Sequence, residues 1–142
     1  MNKTEAAISL FNQGFNCAQS ILATYGTDMG LDRDTALKLA GAFGGGIGKM
    51  GETCGAVTGA FMVIGLKCGA TKPDTKAKMK AYELGSKFIK RFKARNNSIL
   101  CSELLGFQIA SERKLKLRER DIIKSKCPKY VRDAAEIIEE LL

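Results

Sequence analysis

The segment that most restricts the fold of this 142-residue chain is a run of small and apolar residues at positions 53–68. Because Gly55, Ala56, Gly59 and Ala60 lie within it, a helix formed here has a face with almost no side-chain bulk. Another backbone can approach such a face closely. Each interior glycine costs about 1 kcal/mol relative to alanine unless packing compensates. We therefore predict that residues 53–68 form a central, buried helix.

The rest of the chain carries repeated helix signals and almost no strand signals. Capping residues and apolar residues three and four positions apart recur along it. We expect an all-α, compact single domain, residues 1–142, with six to seven helices around the segment 53–68. The helix signals cover, in chain order, Asn2 to Gln13, Cys17 to Gly26, Asp32 or Asp34 to Phe43, Thr53 to Gly69, Pro73 to Asn96 or Asn97, Ser98 to Leu105, Ser111 to Arg120, and Pro128 to the C-terminus.

Five cysteines and no histidine define the chemistry available to the chain. The N-terminus lacks the charged, apolar and small-residue sections of a secretory signal, so we expect a cytoplasmic protein. In a reducing compartment, cysteines serve as metal ligands or reactive thiols more often than as permanent disulfides. The absence of histidine excludes haem ligation by imidazole, mixed Cys/His zinc sites and His-based acid/base catalysis.

Four of the cysteines, Cys17, Cys54, Cys101 and Cys127, fall within about the first turn of a predicted helix. Unpaired amide N–H groups and the positive end of the helix dipole favour the thiolate at such positions. Cys68 lies fourteen residues after Cys54 on the same predicted helix, which separates the two by roughly 21 Å at 1.5 Å per residue. We expect Cys68 to be structural and the other four to form the candidate site. Spacing alone leaves open that these four are also buried core residues, because no Cys-x-x-Cys pair is present.

The motifs around these cysteines resemble those of a known family. Its signature is similar to Cys54–Gly59, which follows Gly51–Thr53, and its N-terminal cysteine motif is similar to Gly14–Gln19. Cys101 with Leu104–Gly106, and Cys127 with Pro128, resemble the third and fourth cysteine motifs. The chain thus resembles, over essentially its whole length, the C_GCAxxG_C_C family, described as putative redox-active proteins.

This resemblance implies a small protein with four characteristic cysteines, a redox role such as electron transfer or metal handling, and a functional link to a transporter. A related module occurs in split-Soret cytochromes, where cysteines are associated with an iron–sulfur centre. The chain has no Cys-x-x-Cys-His haem attachment site, so the resemblance implies no haem. We expect Cys17, Cys54, Cys101 and Cys127 to converge, either as ligands of an iron–sulfur cluster or zinc, or as two exchanging thiol pairs.

Cluster ligation is the preferred of these alternatives, because an all-sulfur ligand set suits a cluster and Cys-Pro also occurs in bacterial ferredoxin motifs. The redox partner is unknown, and whether the protein is an enzyme stays open. The oligomeric state is also open, with a homodimer among the alternatives.

Other functions have weaker support in the sequence. Gly46–Gly51 has the spacing Gly-x-Gly-x-x-Gly, but a helix precedes it where a nucleotide-binding loop needs a strand, so we expect no nucleotide. We expect its backbone to lie near Cys54 and donate hydrogen bonds to sulfur. No apolar stretch reaches the roughly 20 residues that span a bilayer, so no membrane insertion is expected.

The net charge of +8 arises from two segments, 72–95 and 113–132, each with nine Lys/Arg against two acids. These segments suggest a second function, a basic interaction module that binds an acidic protein partner or nucleic acid and has only structural cysteines. A solvated helix face explains the charges of 72–95 equally well, so nucleic-acid binding is not favoured.

Overall fold

The computed structural model describes residues 1–142, which form seven α-helices and no β-strand. The only extended pairing is an isolated bridge between Thr53 and Leu100. The all-α prediction is therefore confirmed. The helices are α1 (Lys3–Asn12), α2 (Cys17–Gly26), α3 (Arg33–Leu39), α4 (Gly55–Cys68), α5 (Thr75–Asn96), α6 (Cys101–Leu105) and α7 (Leu117–Leu141), with short 3₁₀ turns at Thr27–Met29 and Gly41–Phe43.

Helix α4 lies at the centre of the fold and packs against α2, α5 and α7. A Cβ atom at Gly55 would lie only 2.8 Å from the backbone nitrogen of Ala18, and one at Gly59 only 3.0 Å from the carbonyl oxygen of Ala18. The backbone of α2 thus sits directly on the face of α4 that has no side-chain bulk. The predicted central helix is confirmed, and its first helical residue is Gly55.

Helix α7 closes the domain by packing against α1, α2, α4 and α5. Val131 and Ala134 on its apolar face are fully buried. On the other side, Arg95 of α5 forms ion pairs with Asp133 at 3.1 Å and with Glu140 at 3.1 Å. Apolar packing and a charged network therefore both hold α7 in place.

The basic segment 72–95 coincides largely with α5 and has two distinct sides. Leu84, Phe88 and Phe92 are buried, whereas every lysine and arginine of this segment is exposed. This arrangement is the solvated face that the sequence also allowed. No helix of the structure combines the length and the apolar character needed to cross a membrane.

The C-terminal part of the chain differs from the sequence prediction. The helix predicted from Ser111 to Arg120 is wrong, because residues 107–116 contain no helix and α7 begins at Leu117. Pro128 was predicted to start a helix but lies inside α7. A proline in a helix interior costs about 3 kcal/mol. The continuous apolar face of α7 explains why the helix passes through it, since burial of that face supplies more stabilisation than the proline removes.

Two other helix starts also differ slightly. Asp74, not Pro73, adjoins the first turn of α5, and its carboxylate accepts a hydrogen bond from the Ala77 amide at 3.1 Å. Ser98 was predicted to cap the short helix, but the cap position is Leu100 and α6 begins at Cys101. The Ser98 hydroxyl accepts a hydrogen bond from the Leu100 amide at 3.0 Å.

Candidate functional site

Four cysteines from four separate elements line a single cavity of about 750 Å³. Cys17 is the first residue of α2, Cys54 directly precedes α4, Cys101 is the first residue of α6, and Cys127 lies in α7. All are free thiols. The fold thus brings residues that are up to 110 positions apart to the wall of one cavity.

The position of Cys17 is fixed by a reciprocal cap at the start of α2. The Asn16 side chain accepts a hydrogen bond from the Gln19 amide at 2.8 Å, and the Gln19 side chain accepts one from the Asn16 amide at 2.9 Å. The Asn16 side-chain amide also donates to the Gly41 carbonyl at 3.2 Å. These bonds join α2 to the segment that leads into the glycine loop, defined here as residues 44–51.

Cys17 interacts with two other thiols of the cavity. Hydrogen bonds with Cys127 and Cys54 are the largest causes that raise the pKa of the Cys17 thiol, and burial raises it further. Negative charge on Cys54 or Cys127 acts in the same direction. Cys17 is therefore held as a neutral thiol that can donate its proton to a neighbouring sulfur.

Cys54 has the opposite tendency, because its environment favours the thiolate. A hydrogen bond from Cys17 is the largest cause that lowers the pKa of Cys54, and the backbone N–H groups of Ala56 and Val57 add to it against the effect of burial. These amides belong to the first turn of α4, although the Cys54 sulfur forms no cap of ordinary hydrogen-bond geometry. The sequence predicted that amides at a helix start favour the thiolate, and Cys54 shows this effect.

Cys101 does not show this effect, although it also begins a helix. Burial raises the pKa of its thiol to about 12, and negative charge on Cys54 and Cys127 adds to the shift. Helix α6 has only five residues, so its dipole is small. Desolvation outweighs it, and the predicted preference of Cys101 for the thiolate is wrong.

Cys127 does not lie at a helix start. The sequence placed it there because Pro128 was expected to open a helix, but Cys127 is in the interior of α7. Cys127 is therefore ten residues from the first residue of α7 and away from the free amides of the helix N-terminus. Its side chain is buried at 8% exposure and reaches the cavity from the face of α7 that packs on the core.

Cys68 is the last residue of α4 and does not line the cavity. The predicted separation of Cys68 from Cys54, at opposite ends of one helix, is present in the structure. Cys68 is half-buried and packs against the core.

The glycine loop adopts a conformation that few sequences allow. Five successive residues, from Gly45 to Lys49, have positive φ, and Ile47 at 61° is β-branched and therefore strained. A Cβ at Gly46 would lie 2.6 Å from the Cβ of Cys101, so the loop backbone packs tightly against that cysteine. Its amides donate no hydrogen bond to sulfur, contrary to the sequence expectation. The amides that lower the pKa of Cys54 are those of Ala56 and Val57 in α4.

A family model covers residues 15–141 of the chain, which include all four cavity cysteines. Its description is "Putative redox-active protein (C_GCAxxG_C_C)". The chain belongs to this family. No curated protein and no solved structure matches the chain. The four cysteines through which the sequence resembles the C_GCAxxG_C_C family are the same four that line the cavity.

The four family cysteines are not arranged as a formed metal site. No group of three or more His, Cys, Asp or Glu side chains is placed so that it could hold a metal ion. The donor set would suit zinc or an iron–sulfur cluster, since all four ligands are sulfur. Ligation would therefore require the cysteine side chains to move toward one another.

Three further residues of the cavity were not identified from the sequence. Tyr130 lines it and donates a hydrogen bond to the Leu104 carbonyl at 2.7 Å. Burial raises the pKa of Tyr130 to about 12, with additional effects of negative charge on the cysteines. Lys49 and Lys124 also line the cavity. Lys124 precedes Cys127 by three positions. This spacing predicts that the two side chains lie on one helix face, but only if α7 is known to continue through Pro128.

Proposed function

We propose that the protein is a thiol–disulfide redox protein in which Cys54 is the attacking thiolate and Cys17 the resolving thiol. The observation that supports this proposal is that both cysteines line one cavity, which is large enough for a small molecule. Cys17 is also the largest cause of the lowered pKa of Cys54. A disulfide forms only between sulfurs that can approach each other closely. A lowered pKa at one of them supplies the nucleophile at neutral pH.

The proposed reaction is a two-electron exchange with a disulfide substrate. The Cys54 thiolate attacks one substrate sulfur, a bond forms between the two sulfurs, the substrate S–S bond breaks, and the other substrate sulfur leaves as a thiolate. That thiolate takes the proton of Cys17. The Cys17 sulfur then attacks Cys54, the intramolecular disulfide forms, and the second substrate thiolate leaves. Two electrons have passed from the cysteine pair to the substrate, and the reverse reaction oxidises thiols.

Trapping of the mixed disulfide tests this assignment. In Cys17→Ser the resolving thiol is absent, so a disulfide reagent should accumulate as a stable adduct on Cys54, detectable by intact mass and peptide mapping. The native chain should instead form the Cys17–Cys54 disulfide and release the reagent. Cys68→Ser serves as the control and should behave as the native chain. Adducts distributed over several cysteines, or none on Cys54, would overturn the proposal.

Cys127 offers a different resolving thiol, because Cys17 also interacts with it. The same mapping with Cys127→Ser separates the two possibilities. If Cys54 and Cys17 form the exchanging pair, Cys127→Ser retains the intramolecular disulfide. If the disulfide is lost, Cys127 takes part in the exchange and the pairing proposed above is wrong.

Metal ligation by Cys17, Cys54, Cys101 and Cys127 is the second candidate function. The convergence of four sulfurs on one cavity favours it, whereas the absence of any three side chains in a ligating arrangement favours thiol exchange. Negative charge at Cys54 also opposes a second thiolate at Cys17 or Cys101. Metal analysis and an absorption spectrum of anaerobically purified protein separate the candidates, because a cluster gives visible charge-transfer bands.

A further inference from the structure

The cavity that holds the cysteines is lined by two lysines, which outnumber the single thiolate proposed at Cys54. Lys49 and Lys124 line it, and no aspartate or glutamate does. Neither lysine forms an ion pair, although ten ion pairs join other residues of the chain. Two unpaired ammonium groups at the same concave surface attract an anion from solution.

Backbone donors lie at the same wall. Gly44, Gly45 and Gly46 line the cavity, and because glycine has no side chain, their backbone atoms form this part of the wall. The amide N–H groups of these three successive residues donate no hydrogen bond within the protein. Gly46 is buried, where an unpaired amide is rare. Successive free amides of this kind form anion-binding concavities in other loops.

These donors lie next to the cysteines. A Cβ at Gly46 would be 2.6 Å from the Cβ of Cys101, and one at Gly44 would be 2.9 Å from the Cβ of Asn16, the residue before Cys17. An anionic group held by the loop would therefore lie beside the thiols. Most of the remaining wall is apolar and includes Phe11 and Phe15, which suits the body of a small organic molecule.

We infer that the substrate of the cysteine pair is a small disulfide that carries a negatively charged group, such as a carboxylate. The amides of Gly44–Gly46, together with Lys49 and Lys124, would bind this group. This inference rests on the proposed function, since it assigns the substrate class to the same thiols. It also explains why the glycine loop keeps three donors unpaired and why the lysines have no acidic partners.

Two reagents of different charge test the inference. Dithiobis(nitrobenzoate) carries two carboxylates, whereas dithiodipyridine is an uncharged aromatic disulfide. The rate constant of each reagent with Cys54 is measured for the native chain and for the double variant Lys49→Gln/Lys124→Gln. Loss of the lysines should slow the anionic reagent by about tenfold or more relative to the uncharged one. Added salt should reduce the difference in the native chain.

The ratio of the two rates is the decisive quantity, because removal of positive charge can also raise the pKa of Cys54 and slow both reagents equally. Lys67→Gln is the matched control, since Lys67 is exposed near the far end of α4 and does not line the cavity. It should leave the ratio unchanged.

The outcomes separate this inference from the proposed function. If Cys54 reacts with both reagents and the double variant has the native ratio, the anion site is overturned while thiol exchange stands. If Cys54 reacts with neither reagent, the exchange function fails and the substrate assignment fails with it. As an additional measurement, nitrobenzoate, which cannot react with thiols by exchange, should slow the uncharged reagent in the native chain but not in the double variant.

Discussion

Single residues determine the chemistry of the site, because the cysteine thiols that line the cavity differ in how readily they lose a proton. The pKa of the Cys54 thiol is lowered, because Cys17 donates to it and the first amides of α4 lie near it. Hydrogen bonds with Cys127 and Cys54 raise the pKa of Cys17, and burial raises that of Cys101, with a smaller effect of the charge on Cys54 at both. Cys17, Cys54 and Cys101 are therefore not equivalent thiols, and Cys54 is the one whose surroundings favour the thiolate.

The order of thiol reactivity follows from these shifts. At pH 8 a thiol with a pKa of about 12, such as Cys101, has only about one thiolate in ten thousand molecules. Cys54 should therefore be alkylated by iodoacetamide much faster than Cys101. Timed alkylation with peptide mass spectrometry measures both rates in one sample. Equal rates at the two cysteines, or faster labelling of Cys101, would contradict the assignment of the thiolate.

At the scale of elements, the close contact of α2 and α4 sets the positions of Cys17 and Cys54. Gly59 allows this contact, since a Cβ there would lie 3.0 Å from the Ala18 carbonyl oxygen and 3.1 Å from the Ile21 Cβ. Gly65, six residues further along α4, has nothing within 4 Å of such a Cβ. The two glycines thus provide a matched pair on one helix.

Gly59→Ala should destabilise the fold by about 1–3 kcal/mol, because the added methyl group forces α2 and α4 apart. Gly65→Ala should instead stabilise it by about 0.5–1 kcal/mol through the higher helix propensity of alanine. Urea unfolding followed by circular dichroism measures both changes. Equal effects of the two substitutions would mean that the small residues of α4 are not required for packing against α2.

The glycine loop gives a second matched pair. Gly46 and Gly48 both have positive φ, so alanine is strained at either position, by about 1–2 kcal/mol. Only at Gly46 would the new Cβ also collide, with Cys101 and with the backbone of Glu52. Gly46→Ala should therefore lower the free energy of unfolding clearly more than Gly48→Ala, and it should change the reactivity of the cavity thiols. Similar results for both variants in a denaturant titration with thiol labelling would show that the loop does not pack against the site as described.

Much of the arrangement of elements could be predicted from sequence, and the failures have identifiable causes. Cap residues located α1 to α3 closely, because Asn2, Asn16 and Asp32 each accept a hydrogen bond from an amide three residues on. Such local bonds are visible in the sequence. Local rules failed at Pro128, where the long apolar face of α7 outweighs the preference of proline for a first turn. The position of Cys127, and with it that of Lys124, depends on this tertiary effect.

At the scale of the whole molecule, a charged network holds α7 against α5. Asp133 accepts hydrogen bonds from Arg95 at 3.1 Å, Asn96 at 3.1 Å and Lys129 at 2.7 Å. Burial alone would raise the pKa of Asp133, but these bonds outweigh it and the net shift is downward. The network therefore stabilises the fold when the carboxylate is charged.

The sign of this shift determines the dependence of stability on pH. Because the folded-state pKa is lower than the unfolded one, the contribution of Asp133 is fully present above the unfolded value of about 3.9 and is lost as pH falls through the folded value. Asp133→Asn should lower the free energy of unfolding at pH 7 by about 1–3 kcal/mol and flatten its decline in acid. Denaturant unfolding at several pH values measures this. Asp121→Asn is the control, because Asp121 is exposed and forms no ion pair, and it should leave the free energy of unfolding at pH 7 unchanged. A native curve for Asp133→Asn would exclude the network as a source of stability.

The site could be predicted from sequence only in part. The identity of the four cysteines was available from their motifs, since the family model covers all of them. The protonation of their thiols could not be predicted from the sequence, because it depends on burial at Cys101 and on the interaction of Cys17 with Cys54. The unpaired amides of Gly44–Gly46 could not be predicted either. A run of glycines in the sequence does not indicate which of their N–H groups form hydrogen bonds in the fold.

Thiol–disulfide exchange by Cys17 and Cys54 is tested by a redox titration of the full chain, purified without oxygen, with metal content, free thiols and disulfides measured in the same samples. We expect five titratable thiols in the reduced protein and no stoichiometric iron or zinc. Oxidation should remove two thiols reversibly, and they should map to a disulfide between Cys17 and Cys54. Bound metal with about four protected thiols, or five thiols that remain free at every potential, would contradict this exchange.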